Sequence, residues 1–297
     1  MGDVVSLQEH TPEHIFPQES TLYFPIYERP VFFSGRDGNM YENPEYKAIV
    51  RLLNDTPKQI GMVKKTYEVL KMKDLCQAIE ANFLECLSME ELEGVSVIDS
   101  ISYHGGMLFR QYIFPAVSTD IGTNTSKIAY RVIVGNGYDG STSFKLYHGA
   151  IDFFCLNGMV SGIYDMIVRR HTAGISIPSI ADRIRKGVGV FYKQADQFRG
   201  WVGKEITDEQ ARKVFEAVPN VSERRIEQFM RQFHIECLTH GRTVWALYSA
   251  ATFYSSHDEG MFSVRTTSND NTAATLMNRE TQIRGWLSTD EFQQIAA

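Results

Sequence analysis

No apolar run of about eighteen residues occurs in this chain, so no segment reads as a helix that crosses a bilayer. The first residues, Met-Gly-Asp-Val-Val-Ser, lack the basic start and apolar stretch of a secretion signal. Cysteine is scarce: Cys76, Cys86, Cys155 and Cys237 include no Cys-x-x-Cys pair, and three of them sit in apolar runs. That argues against a disulfide scaffold and suits reduced thiols in a cytoplasm. Also absent are the Gly-x-Ser-x-Gly nucleophile elbow, the Gly-x-x-x-x-Gly-Lys-Ser/Thr phosphate loop and the spacing of a zinc protease, and no cofactor is expected. Net positive charge is missing too. A balance of −6 over 297 residues excludes a generic polycation that coats nucleic acid. What is present is ample apolar content, 43%, enough for one large domain or two modest ones.

Charge is unevenly spread. Residues 1–100 hold 17 acids against 9 bases. Residues 168–204 reverse this, with 8 bases (Arg169, Arg170, Arg183, Arg185, Lys186, Lys193, Arg199 and Lys204) against Asp182 and Asp196. Such asymmetry builds a local anion-binding surface on an acidic protein, or else supplies partners for the acidic first third.

Periodicity divides the chain into three parts. Residues 1–40, with Pro12, Pro17, Pro25 and Pro30 and a Ser-Gly-Arg-Asp-Gly run, read as an irregular N-terminal arm packed on the body or on a neighbouring subunit. Residues 41–205 read as an α+β core. Within it, a strand pair surrounds Asn54-Asp-Thr-Pro57, and a helix over Lys73–Leu87 places Leu75, Ile79, Phe83, Leu84 and Leu87 on one face. Strands Val95–Tyr103 and Met107–Phe114 flank a Gly105-Gly106 turn, and strands Ser126–Val134 and Thr142–Cys155 follow. Together they imply an antiparallel meander. The glycine-containing segment 135–140 reads as a hairpin turn with Asn136 and Asp139 at left-handed positions. A helix then carries Ile180, Ile184, Val188, Phe191, Ala195 and Phe198 inward and Arg185, Lys186 and Lys193 outward, weakened at Gly187 and Gly189. Residues 206–297 read as a helical region packed on the core, with helices over Thr207–Ala217, Ser222–Leu238, Thr243–Tyr254 and Thr272–Trp286. Thr207 and Gln210 form a capping box. The fold class is therefore α+β: a central antiparallel sheet followed by a helical C-terminal half.

Three chemistries are open to these residues. For a metal, His10 and His14, and His234 and His240 about Cys237, lack an acid or a cysteine pair at ligand spacing. For nucleophilic catalysis, Cys155 with His148 or His171 and Asp152 or Asp165 is the available set, though the apolar setting of Cys155 favours an inert core thiol. For polyanion binding, Arg169, Arg170 and His171 precede a helix bearing Arg185, Lys186, Lys193 and Arg199, with Tyr192, Phe198 and Trp201 as interleaved aromatic surface for stacking bases. That set is the preferred site, and it needs no catalytic chemistry.

The stretch Asn136-Gly-Tyr-Asp-Gly-Ser-Thr-Ser-Phe-Lys-Leu-Tyr-His148, with Cys155-Leu-Asn-Gly-Met-Val-Ser-Gly162 and Arg169-Arg-His-Thr172, resembles the core signature of the phage/plasmid-like proteins, a family named only as a domain of unknown function (932). The resemblance extends to Thr243-Val-Trp-Ala-Leu-Tyr-Ser-Ala-Ala-Thr-Phe-Tyr-Ser-Ser-His257 and more loosely to Lys47–Phe83. It implies a bacteriophage or plasmid origin, a bacterial cytoplasm, and a role in nucleic-acid metabolism, host takeover or counter-defence. The order of elements is compatible with phage annealing proteins, whose sheet is crossed by a helix and which assemble into rings or filaments. The leading expectation is thus a homo-oligomer that binds or anneals single-stranded DNA. The alternatives are a module that acts on a host protein through its acidic face, and an enzyme using Cys155 and His171.

Overall fold

The computed structural model describes residues 15–122, 127–152, 158–159, 167–172, 181–218, 221–257, 281 and 283–297. Its architecture is α+β, with two antiparallel sheets followed by helices. The small sheet has the order β1 (Tyr27–Ser34), β2 (Met40–Leu53), β3 (Thr56–Lys64). Asn54 and Asp55 link β2 to β3 at φ of 49° and 62°, left-handed values that these two residue types tolerate and that a two-residue hairpin requires. Strand β1 corrects the expectation of an irregular first forty residues. No side chain from Tyr27 to Ser34 is fully buried, and the register shifts between Pro30 and Phe32, so no period of two marks the strand in the sequence.

The main sheet runs β4 (Ser96–Ser102), β5 (Met107–Asp120), β6 (Lys127–Gly137), β7 (Phe144–Asp152), in consecutive order as the sequence predicts. Two short strands share the outer edge of β7. β8 (Gly158–Met159) pairs at Ala150 and Ile151, and β9 (Ile167–Arg169) pairs at Phe144–Leu146. In the β4–β5 turn the left-handed residues are Tyr103, His104 and Gly105, whereas Gly106 is right-handed. In segment 135–140 only Gly140 is left-handed. Asn136 is instead a buried residue of β6, its side-chain amide donating to the Leu70 carbonyl at 2.9 Å. Both faces of β6, a central strand of the sheet, are buried.

Helix α1 (Met72–Cys86) covers one face of the sheet, with Leu75, Ile79 and Phe83 turned inward as their spacing predicts. The Phe83 ring lies 5.0 Å from both Tyr112 and Phe114 of β5. Helix α2 (Ala181–Val202) crosses the same face over β5, β6 and β7, burying Ile184, Phe191, Ala195 and Phe198. It closes on the sheet at Gly187, where a Cβ would stand 2.6 Å from His148 Nδ1. Helices α3 (Asp208–Glu216), α4 (Glu223–His240), α5 (Val244–His257) and α6 (Asp290–Ala296) complete the C-terminal half. The Thr207–Gln210 capping box forms as its spacing predicts, whereas Ser222 caps α4 without a side-chain bond. The expected helix over 272–286 lies largely outside the described residues; residues 283–287 are helical.

A charged cluster lies beneath the N-terminal segment. Arg110, fully buried on β5, donates to both carboxylate oxygens of Asp99 at 2.7 and 2.8 Å and to Glu80 at 3.2 Å. Burial pushes the Glu80 carboxyl up, while Tyr112 and Arg110 draw it down. Ser20 donates to Asp99, Tyr23 meets Arg110, and Phe16 and Leu22 are buried, so residues 15–24 pack on the body.

Candidate functional site

Strand β9 delivers Arg169 to a defined side of the sheet. Residues directly opposite in an antiparallel pair point to the same face, and Arg169 lies opposite Phe144. Phe144 and Leu146 point into the core under the helices, and two residues on His148 meets Gly187 of α2. Arg169 therefore leaves the sheet edge on the face that α2 crosses. Arg169 and Arg170 are exposed, as are Arg185, Lys186 and Lys193 on the outer side of α2. None of these five has an ion-pair partner among the described residues. Tyr192 joins them at 44% exposure.

Four members of the predicted set, Trp201, Phe198, Arg199 and His171, are not available to this surface. Trp201 is buried among Phe198, Tyr248 and Phe292, and its indole N–H donates to the Ala296 carbonyl at 3.1 Å. It is a core residue because α2 needs an anchor for the C-terminal helices at that position, and Phe198 is buried for the same reason. Arg199 stays exposed, but its guanidinium is engaged by the Asp120 carbonyl at 2.8 and 3.0 Å, by Thr119 Oγ1 at 2.6 Å and by Asp196. It fastens α2 to the end of β5. His171 is 5% exposed and stacks on Tyr67, ring centroids 4.7 Å apart.

His171 instead forms part of a cleft of about 340 Å³ between the small sheet and one end of the main sheet. Met62, Val63 and Lys64 line it from β3, Asp139 and Gly140 from the β6–β7 turn, and His171 and Thr172 from the segment after β9. Tyr46, Thr66 and Tyr67 complete the lining. The walls approach closely: a Cβ on Gly61 would stand 2.5 Å from Asp139 Cα. Backbone bonding fixes the floor. Glu68 N–H donates to the His171 carbonyl at 3.1 Å, and His171 Nδ1 lies 3.1 Å from the Glu68 carbonyl. A carbonyl only accepts, so Nδ1 carries the proton and Nε2 presents a lone pair. Burial pushes the His171 imidazolium pKa down, against the opposing pull of the Glu68 carbonyl, so the ring is neutral at pH 7. Nε2 is buried and makes no hydrogen bond among the described residues. Asp139 Oδ1 accepts from the Ser141 N–H at 2.8 Å and from its hydroxyl at 2.7 Å, which caps the turn, and Asp139 does not take the left-handed conformation expected of it.

The cleft joins the two ends of the signature stretch, Asp139-Gly140 and His171-Thr172, although 31 residues separate Gly140 from His171. Nothing in the sequence marks its other wall. Tyr46, Met62, Lys64 and Tyr67 sit on strands and turns with no distinguishing motif, and only the closure of the small sheet onto the β6–β7 turn brings them in. Cys155 and Asp165 lie outside the described residues, and Asp152 is described in its backbone alone. Among the described residues no group of three metal-ligating side chains occurs, and no helix is long and apolar enough to cross a membrane.

No curated protein and no solved structure matches the chain. A family model does, that of the domain of unknown function DUF932, over residues 59–280. These residues include α1, the whole main sheet, α2 and the cleft lining except Tyr46. With about three quarters of its length so matched, the chain belongs to the DUF932 family.

Proposed function

We propose that this protein binds single-stranded nucleic acid along the surface from β9 to the outer side of α2, as a component of the nucleic-acid metabolism of a phage or plasmid. The observation that carries the reading is the placement of Arg169 on the α2 face of the sheet, with Arg169, Arg170, Arg185, Lys186 and Lys193 exposed and without ion-pair partners among the described residues. Surface cations are ordinary. Five of them left unmatched in a chain of net charge −6, on two elements that flank the same strand, form a local field for a phosphate backbone. Tyr192 adds one exposed ring for stacking. Trp201, His171 and Arg199 are not part of this footprint. Annealing follows from the same surface when copies of the chain assemble and display several strands. The test is a labelled oligonucleotide titrated with the full chain over a salt series, in which binding weakens steeply as salt rises.

A second reading draws on the β1–β2 hairpin, which exposes Phe32, Phe33, Met40 and Tyr41. Apolar side chains grouped on one projecting hairpin favour a protein contact, with a second copy or with a host factor. Recovery of a host protein on the intact chain, abolished when Phe33 and Tyr41 are both changed to Ser, combined with no oligonucleotide binding, would place this reading first.

A further inference from the structure

We infer that the cleft floored by His171 seats one nucleotide, its base against Met62 and Tyr67 with an amino group turned to Asp139, and its phosphate at Lys64. The inference deepens the strand-binding reading and takes the identity of the ligand from it.

Two acceptors on the residues that line the cleft, His171 Nε2 and Asp139 Oδ2, have no donor among the described residues. His171 Nε2 is a buried lone pair without a partner among the described residues, held in that tautomer by the bond at Nδ1. Asp139 Oδ1 is taken by Ser141, and no described residue donates to Oδ2. Asp139 is half-buried, so its second carboxylate oxygen is an acceptor within reach of a ligand that carries N–H groups. Around these acceptors the walls are apolar and aromatic, from Tyr46, Met62, Val63 and Tyr67. A flat body with N–H groups on one edge fits such walls, and amino-bearing nucleobases have that shape and chemistry. Lys64 is exposed and forms no ion pair among the described residues, and Arg170 lies two residues before Thr172, so a cation is available where a phosphate would emerge. The volume, about 340 Å³, lies within the small-molecule range. The same chemistry is offered by a free nucleotide and by one unstacked nucleotide of a strand.

The experiment titrates the full chain with the 5′-monophosphates of guanosine, adenosine, cytidine and uridine, following calorimetric heat and the ¹⁵N shift of His171 Nε2. A second arm uses oligonucleotides with and without one abasic position. The amino-bearing nucleotides should bind about tenfold tighter than uridine monophosphate, the worth of one charge-assisted hydrogen bond. Asp139→Asn keeps an acceptor for Ser141 but replaces the other oxygen by a donor, and it should remove that preference. Met62→Ala should weaken all four ligands alike, and Lys64→Ala should abolish the advantage of a nucleotide over its nucleoside. Mononucleotide binding with no oligonucleotide binding keeps the cleft, assigns it a free nucleotide and ends the strand reading. Absence of any mononucleotide-dependent shift at His171, with an abasic position that changes nothing, overturns the cleft proposal. Oligonucleotide binding that is sensitive to Arg169 and Arg170 would in that case leave the strand reading in place.

Discussion

Gly187 and Tyr130 approach so closely that a Cβ on residue 187 would stand 2.7 Å from the phenol oxygen. The glycine that weakens α2 as an isolated helix is what allows α2 to lie against the sheet, and it thereby sets where the basic outer side of that helix faces. Gly189, two residues on, has nothing within 4 Å of such a Cβ. The two glycines should therefore respond oppositely to the same change. Gly187→Ala should destabilise by about 1–3 kcal/mol through overpacking, and Gly189→Ala should stabilise by about 0.5–1 kcal/mol through helix propensity. Urea denaturation of both variants measures this; equal shifts would contradict the close packing.

Arg110 anchors β5 to β4, α1 and the N-terminal segment at once, through Asp99, Glu80 and Tyr23. Arg110→Met keeps the volume but leaves two carboxylates without their cation. A loss of about 3–5 kcal/mol is expected at neutral pH. The loss should shrink in acid, where Glu80, its carboxyl pushed up by burial, takes up a proton. A pH-independent loss would show that packing alone is at stake.

His171 makes the fold sensitive to acid. Its folded-state pKa lies below the ordinary 6.5, so the unfolded chain binds the proton more readily. Its contribution is complete above the ordinary value and is lost as pH falls from there through the folded-state value. His171→Gln should be less dependent on pH across this window than the parent chain. The check is the denaturation midpoint at about pH 7.5 and about pH 5.5 for both proteins; parallel losses would remove His171 as the cause.

Assembly should involve the first forty residues. The β1 strand is an edge of the small sheet, and Phe32, Phe33 and Met40 are each at least half exposed on the hairpin. A homo-oligomer is expected, with Phe33→Ser plus Met40→Ser shifting it toward monomer at unchanged thermal stability. Light scattering that finds a monomer at tens of micromolar for the full chain would contradict this.

Much of the fold was legible because its signals are local. The meander of β4–β7, the face of α1, the Thr207 cap and the inward residues of α2 follow from periodicity and turn chemistry. The β1 strand was not legible, since Pro30 and a register shift break its pattern and no face is buried. The candidate surface was legible only in part. Charge along the sequence marked Arg169, Arg170, Arg185, Lys186 and Lys193, but it could not show that Arg199 is held by Asp120. Nor does a tryptophan near a basic helix reveal its side: Trp201 turns inward because Tyr248 and Phe292, far along the chain, complete its pocket. The cleft was hidden for the same reason, its walls coming from four separate segments.

The measurement that bears most directly on the central claim is the salt dependence of single-strand binding for Arg169→Ala plus Arg170→Ala beside the parent chain. Removing the cation opposite one phosphate should lower the slope of log affinity against log salt by about 0.7, so the double variant should show a slope smaller by about 1.4, equally for every sequence tested. Both arginines are exposed and free of ion pairs among the described residues, so stability should change by no more than about 0.5 kcal/mol. An unchanged slope with a large fall in melting temperature would contradict the account, because the arginines would then be structural partners within the fold and would not bind a strand.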